Sequence, residues 1–196
     1  MGKIKKEDKS GVSNEGKSYV GGASITVAKF IETELIGAID DIKERHPYLA
    51  FVLIASGIEF LGKCLCPNAD WHESDPKGNF EKAINTLDNF QKYRSYTGGN
   101  GNHVPDVSLY GELRCGLVHA FLPQKDIILH SGSGECKIYD DKKVHLYIET
   151  FFDDFKNACK ELDVKTDITK KDLSGGFILI ETSQDGSVSS GMTSCR

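Results

Sequence analysis

The stretch Tyr110-Gly111-Glu112-Leu113-Arg114-Cys115-Gly116-Leu117-Val118-His119-Ala120-Phe121 sets an arginine and a histidine in an otherwise largely apolar run, with four residues between them. The two residue types are chemically complementary. Histidine moves a proton near neutral pH, and arginine is a fixed cation whose planar fork of donors suits a carboxylate or a phosphate. At about 100° per residue, positions five apart on a regular helix lie roughly 140° from one another. Both side chains then reach one cleft only from its flanks, through a distorted helix, or from two chains. A structural arrangement is equally open: Arg114 paired with an acid such as Glu112 or Glu59, and His119 capping a helix end where the dipole favours a cation.

Other reactive side chains are dispersed. Six cysteines stand at positions 64, 66, 115, 136, 159 and 195. No secretion signal opens the chain, so a disulfide framework is not expected. Cys64, Cys115 and Cys159 lie in helical patterns, where a free thiol packs as a small hydrophobe. Cys64 and Cys66 with His72 lack paired C-x-x-C spacing and a fourth ligand, so neither a metal nor a cofactor is expected. His72-Glu73 is not the H-x-E of a zinc deaminase. The glycine-rich Tyr96-Thr97-Gly98-Gly99-Asn100-Gly101-Asn102 matches neither a dinucleotide nor a Walker loop and reads as an exposed connection. His46, His103, His130 and His145 fall at element ends or in turns without partner spacing, and Trp71 stands in an acidic loop. Asp153 and Asp154 read as a solvated helix face.

The elements that must position the pair are mainly helical. Ser24 is the expected cap of a first helix whose stripe is Ile25, Ala28, Ile31, Leu35, Ile39 and Ile42. His46-Pro47 ends it, because a residue before proline avoids the helical region. From Pro47 to about Leu65 the chain is apolar on nearly all sides and belongs in the middle of a bundle. A third helix is expected from Asn79 as cap, with Phe80, Ala83, Ile84, Leu87, Phe90 and Tyr93 inward. The motif helix is expected to start at Asp106 and to stop at Pro123. Ile127-Leu129 and Lys137-Tyr139 then read as a β-hairpin, with Val144–Tyr147 as a third short strand. A fifth helix carries Ile148, Phe151, Phe152, Phe155, Ala158, Cys159 and Leu162, and Phe177–Ile180 is a candidate last strand.

Composition bounds the partners. The chain has 196 residues and a formal charge of −5, of which residues 1–20 contribute +2 and the rest −7. An acidic body is poorly suited to non-specific grip on nucleic acid, though a small local basic site remains compatible with it. The apolar stretch Pro47–Ile58 is shorter than the roughly 20 residues of a membrane span, and Lys6 stands where a myristoylation signal wants Ser or Thr. A soluble, cytoplasmic protein with no membrane association is expected. Three segments follow: a disordered arm over 1–22, a helical domain over 23–165, and an extension with a flexible tail over 166–196.

The R-x4-H spacing of Arg114 and His119, on a late helix of a bundle and beside Gly116, resembles the R-x(4–6)-H signature of the HEPN superfamily, whose small α-helical bundles include many ribonucleases. The resemblance covers residues 24 to 163. It implies a mainly α, HEPN-like bundle of about five helices; the β-hairpin inserted after the motif helix and the two tails lie outside the resemblance. It also implies metal-independent cleavage of RNA, with His119 as acid/base and Arg114 as phosphate clamp. Tyr110, Glu112 and Cys115 are the flanking residues expected to touch substrate. Cys115 stands where active members of the superfamily carry a polar Asn, Asp or His. Paired motifs in that superfamily commonly face one another across a homodimer, so a homodimer with the motif helix at or beside its interface is expected. The alternative is a non-catalytic HEPN-like module whose cleft binds a nucleotide or a protein partner.

Overall fold

The computed structural model describes residues 25–66, 75–96, 108–124, 126–139, 141–170 and 173. Ser24, Trp71, His72, His103, Asp106, residues 97–102 of the glycine-rich connection, Cys195 and the Phe177–Ile180 run lie outside them, as do both tails.

The described body is mainly helical with one small sheet. Helix α1 (Val27–Phe30) begins at Thr26, whose hydroxyl accepts from Lys29 N at 3.2 Å. It runs on through a π-wound stretch, Ile31–Gly37, into α2 (Ala38–Ile42). Helix α3 (Pro47–Cys64) starts at the expected proline. It is long and apolar enough to cross a membrane by composition, yet half of it is buried inside the fold. Its buried residues Phe51, Ile54, Ile58 and Leu61 meet neighbours on several sides, which is why it has no polar face.

Helix α4 (Pro76–Thr86) corrects the expected start. Asp75 is the cap, accepting from Gly78 N at 3.0 Å, and Pro76 follows at the first helical position, where its fixed φ suits the helix. Asn79 lies one turn inside and is buried. The backbones of α3 and α4 touch at Gly62, where a Cβ would overlap the Asn79 carbonyl. A 3-10 helix, Asp88–Tyr96, carries Phe90 and Tyr93 into the core. The motif helix is Leu109–Ala120, and α5 (Ile148–Lys165) closes the bundle with Phe151, Phe152, Phe155 and Leu162 inward. Past Lys165, a short 3-10 turn (Ile168–Lys170) and Leu173 stay packed, and Leu173 N donates to Ile25 O at 2.9 Å.

Asp154 is not solvated as expected. The fully buried Tyr93 donates its hydroxyl to Asp154 at 2.5 Å, and Lys92 pairs with the same carboxylate oxygen at 2.7 Å. Asp153 does stay on the outer face, with Lys156.

The sheet also differs from expectation. Strands β1 (Ile127–His130) and β2 (Lys137–Ile138) do not pair with each other. Both pair with β3 (Val144–Tyr147), β1 parallel and β2 antiparallel, giving the order β1-β3-β2. The cause is the segment between β1 and β2. It is drawn to the first turn of α5, where Glu149 N donates to Gly132 O at 3.2 Å and the Thr150 hydroxyl to Gly134 O at 2.7 Å. Cys136 then accepts from Tyr147 N at 3.3 Å, so β2 enters on the far side of β3. Val144 and Leu146 face inward, and His145 and Tyr147 face out.

Candidate functional site

The motif helix is wound as a π-helix over its whole length, from Leu109 to Ala120. Ser108 caps it, accepting from Gly111 N at 3.0 Å. It ends on Phe121, which adopts the left-handed conformation at φ 53°, and the chain folds back over Gly116. There Leu122 N donates to Gly116 O at 3.1 Å and Gln124 N to Glu112 O at 3.0 Å. A Cβ on Gly116 would lie 2.6 Å from Leu122 O, so this return path needs a glycine.

This winding decides the geometry of the pair. In a π-helix each hydrogen-bonded turn closes on the fifth residue, so residues five apart stand nearly one above the other. The wide angle of a regular helix is thereby removed. Arg114 Nη1 lies 3.2 Å from His119 Nε2. Cys115, also five residues from Tyr110, lies near enough to act on its phenol. The distorted helix is the one of the three routes to convergence that the chain takes.

Arg114 is held from behind. Its Nε and Nη2 both reach Glu59 Oε2 on α3, each at 2.7 Å, and its side chain is 13% exposed. Of the two acids offered by the sequence, Glu59 is the partner. Glu112 turns inward with Leu109, Leu113 and Leu117 and is buried. The guanidinium carbon sits 5.7 Å from the centre of the Tyr110 ring, which packs edge-on against Phe80. Burial, reinforced by Cys115, pushes the Tyr110 phenol above its ordinary value. A guanidinium has no acceptor, so His119 must accept at Nε2. The ring in this contact is therefore neutral, with its proton on Nδ1. His119 itself is exposed, as are Phe121 and Leu122 just after it.

Four of the five expected site residues thus share one surface: Tyr110, Arg114, Cys115 and His119, with Glu59 added behind them. Glu112 does not join them.

Among the described residues no group of three or more His, Cys, Asp or Glu is arranged to hold a metal ion. Cys64 is buried, which pushes its thiol up to about 12, and burial also raises Cys159. The Lys82 ammonium lies 3.3 Å from Cys66 Sγ.

Two histidines read as unpartnered are in fact joined. His130 Nε2 lies 3.0 Å from His145 Nδ1, and His145 Nε2 lies 3.0 Å from Asp141 Oδ2. The parallel register of β1 on β3 brings them together, and a β1–β2 hairpin gives no such pairing. The sequence reading missed this row, and the i, i+4 spacing of Asp141 and His145 is the one signal that points toward it.

No protein-family model, curated protein or solved structure matches the chain.

Proposed function

We propose that this chain is a HEPN-like, RNA-directed protein whose Arg114–His119 pair cleaves RNA by metal-independent acid/base chemistry. The observation that carries this reading is the convergence of the two side chains at 3.2 Å on an exposed edge of a π-wound helix. Glu59 fixes the guanidinium, leaving Nη1 directed at His119. An incoming phosphate competes with His119 for Nη1. Once displaced, Nε2 is free to take the proton of a ribose 2′-hydroxyl, and the 2′ oxygen then attacks phosphorus as the 5′ oxygen leaves. A second copy of the motif across a homodimer supplies the proton for the leaving oxygen. The exposed Phe121 and Leu122 beside His119 are suited to that interface.

One observation favours the alternative, a non-catalytic module binding a nucleotide or a protein. Two of the three guanidinium nitrogens of Arg114 are committed to Glu59, and the side chain is largely buried.

The two readings separate in one experiment. Wild type and His119→Ala are incubated with mixed-sequence RNA in the presence of a chelator, and their melting curves are recorded. The ribonuclease reading expects products ending in 2′,3′-cyclic phosphate and no cleavage at 2′-deoxy positions. It also expects a loss of about 100- to 10,000-fold in His119→Ala, with little change in melting. RNA left intact by wild type, together with a destabilised His119→Ala, overturns it in favour of the binding module.

A further inference from the structure

We propose that Asp141, His145 and His130 form a proton-operated latch that ties β1 to β3 at neutral pH and lets the C-terminal end of β1 go when both imidazoles are protonated. The latch is separate from the Arg114–His119 pair and does not depend on its function.

The hydrogen bonds fix where the protons sit. Asp141 is a carboxylate and only accepts, so His145 donates from Nε2. The neutral His145 ring then has its lone pair on Nδ1, and His130 must donate to it from Nε2. The gap between the rings holds one proton. One further proton is tolerated, because the shared bond survives with either ring charged. A second is not, since both facing nitrogens would then be donors 3.0 Å apart. Two separated imidazoles accept both protons. The closed row therefore excludes one proton that the open form binds.

The surroundings decide which ring leaves. On β3, Tyr147 stacks on His130 with ring centres 4.4 Å apart. Beside β2, Tyr139 leans on His145 at 4.5 Å, and the Lys137 ammonium lies over Tyr139 while pairing with Glu135. In the β2–β3 turn, Asp141 accepts from His145 and from Lys143 N, and these bonds hold its carboxyl below the ordinary range. Asp141 thus stays anionic at the pH values where the latch opens, and it retains His145. Burial first, and then the neighbouring His145, push His130 below the usual histidine range. His130 is the ring that is expelled.

What it releases is a short lever. Strand β1 has four residues, and His130 is its last. The following segment is anchored to α5 through the Gly132 and Gly134 carbonyls. Opening the latch loosens that anchor.

With an ordinary histidine value of 6.5, excluding one proton favours the open form by about 30-fold near pH 5 relative to pH 7.5. The sign is that of a depressed base: the closing contribution is full above the ordinary histidine value and declines as pH falls below it.

Hydrogen exchange of the full chain, corrected for intrinsic rates and run with a chelator at about pH 7.5 and about pH 5, tests this. Residues 127–134 are expected to lose about 30-fold in protection at the lower pH, with α3 nearly unchanged. His130→Phe keeps a ring against Tyr147 but takes no proton, so its protection there should not vary with pH. Independently of any variant, nitrogen–proton correlation spectra of the wild-type imidazoles near pH 7.5 should place the proton of both rings on Nε2. Equal wild-type protection at both pH values, a His130→Phe protein that loses protection as wild type does, or a His145 proton on Nδ1 each overturns the latch.

Discussion

Replacing Glu59 by Gln removes one charge while keeping the side-chain volume, and its cost follows from where Arg114 sits. The guanidinium directs two nitrogens at one carboxylate oxygen, at 2.7 Å each, and the side chains of Arg114 and Glu59 are 13% and 22% exposed. Exposed pairs are worth about 0–1 kcal/mol, whereas breaking a buried pair costs about 3–5 kcal/mol because one charge is left without its counterpart. The Arg114–Glu59 pair lies between those limits, so Glu59→Gln should cost about 2 kcal/mol. In a body of this size that corresponds to a fall of about 4–8 °C in Tm. The assay is thermal unfolding followed by far-UV circular dichroism, completed to a cycle with Arg114→Met and the double variant. The double variant should be less destabilised than the sum of the singles, by about 1–2 kcal/mol. On the proposed ribonuclease reading, the same change also slows RNA cleavage, since Nη1 loses its fixed direction toward His119. A loss below about 0.5 kcal/mol with no coupling in the cycle would refute the argument that Glu59 holds the guanidinium in place.

Two further outcomes follow from the fold. Gly62→Ala should cost about 3 kcal/mol or more in denaturant unfolding, because its Cβ overlaps the backbone carbonyl of Asn79 rather than a movable side chain; a cost under 1 kcal/mol would mean that α3 and α4 are not in backbone contact. Burial works against the charge on Glu161, but hydrogen bonds from Lys165, the Asp88 and Asn89 N–H groups and the Asn89 side chain outweigh it and hold the carboxyl at about 2. A depressed carboxyl stabilises above its ordinary value and loses that contribution as pH falls toward about 2. Stability measured across the acid range should therefore decline less steeply in Glu161→Gln than in wild type, and identical slopes would count against the interaction.

The helices were legible where a stripe or a proline dictated them. Pro47 set the start of α3, and its lack of a polar face announced a central helix. The phenylalanines of α5 at 151, 152 and 155 are all buried as their spacing required. Caps were less legible. Asn79 and Asp75 are both good capping residues, and only Pro76 after Asp75 distinguishes them. The sheet order was not legible at all. Short strands carry too little pattern to choose a partner, and the choice was made by the Gly132 and Gly134 carbonyls bonding to α5, far along the chain from β1.

Both clusters of titratable side chains depend on local geometry that is not regular, which the sequence allowed for at Arg114 and His119 but not at His130 and His145. Five residues on an α-helix separate Arg114 from His119, and five residues on a π-helix bring them to 3.2 Å. A β1–β2 hairpin separates His130 from His145, and the parallel register on β3 joins them. In each case the pairing depends on a backbone that gives up its ordinary form for a tertiary contact. Glycine supplies the means at the motif helix. Gly116 lets the returning chain at Leu122–Gln124 cross close enough to satisfy the carbonyls of Gly116 and Glu112. A Cβ there would press on Leu122 O and Pro123, forcing the return loop away and withdrawing those donors from the helix end. Gly116 and Glu59 therefore act on the pair from opposite sides, one shaping the helix that carries it and the other aiming the guanidinium.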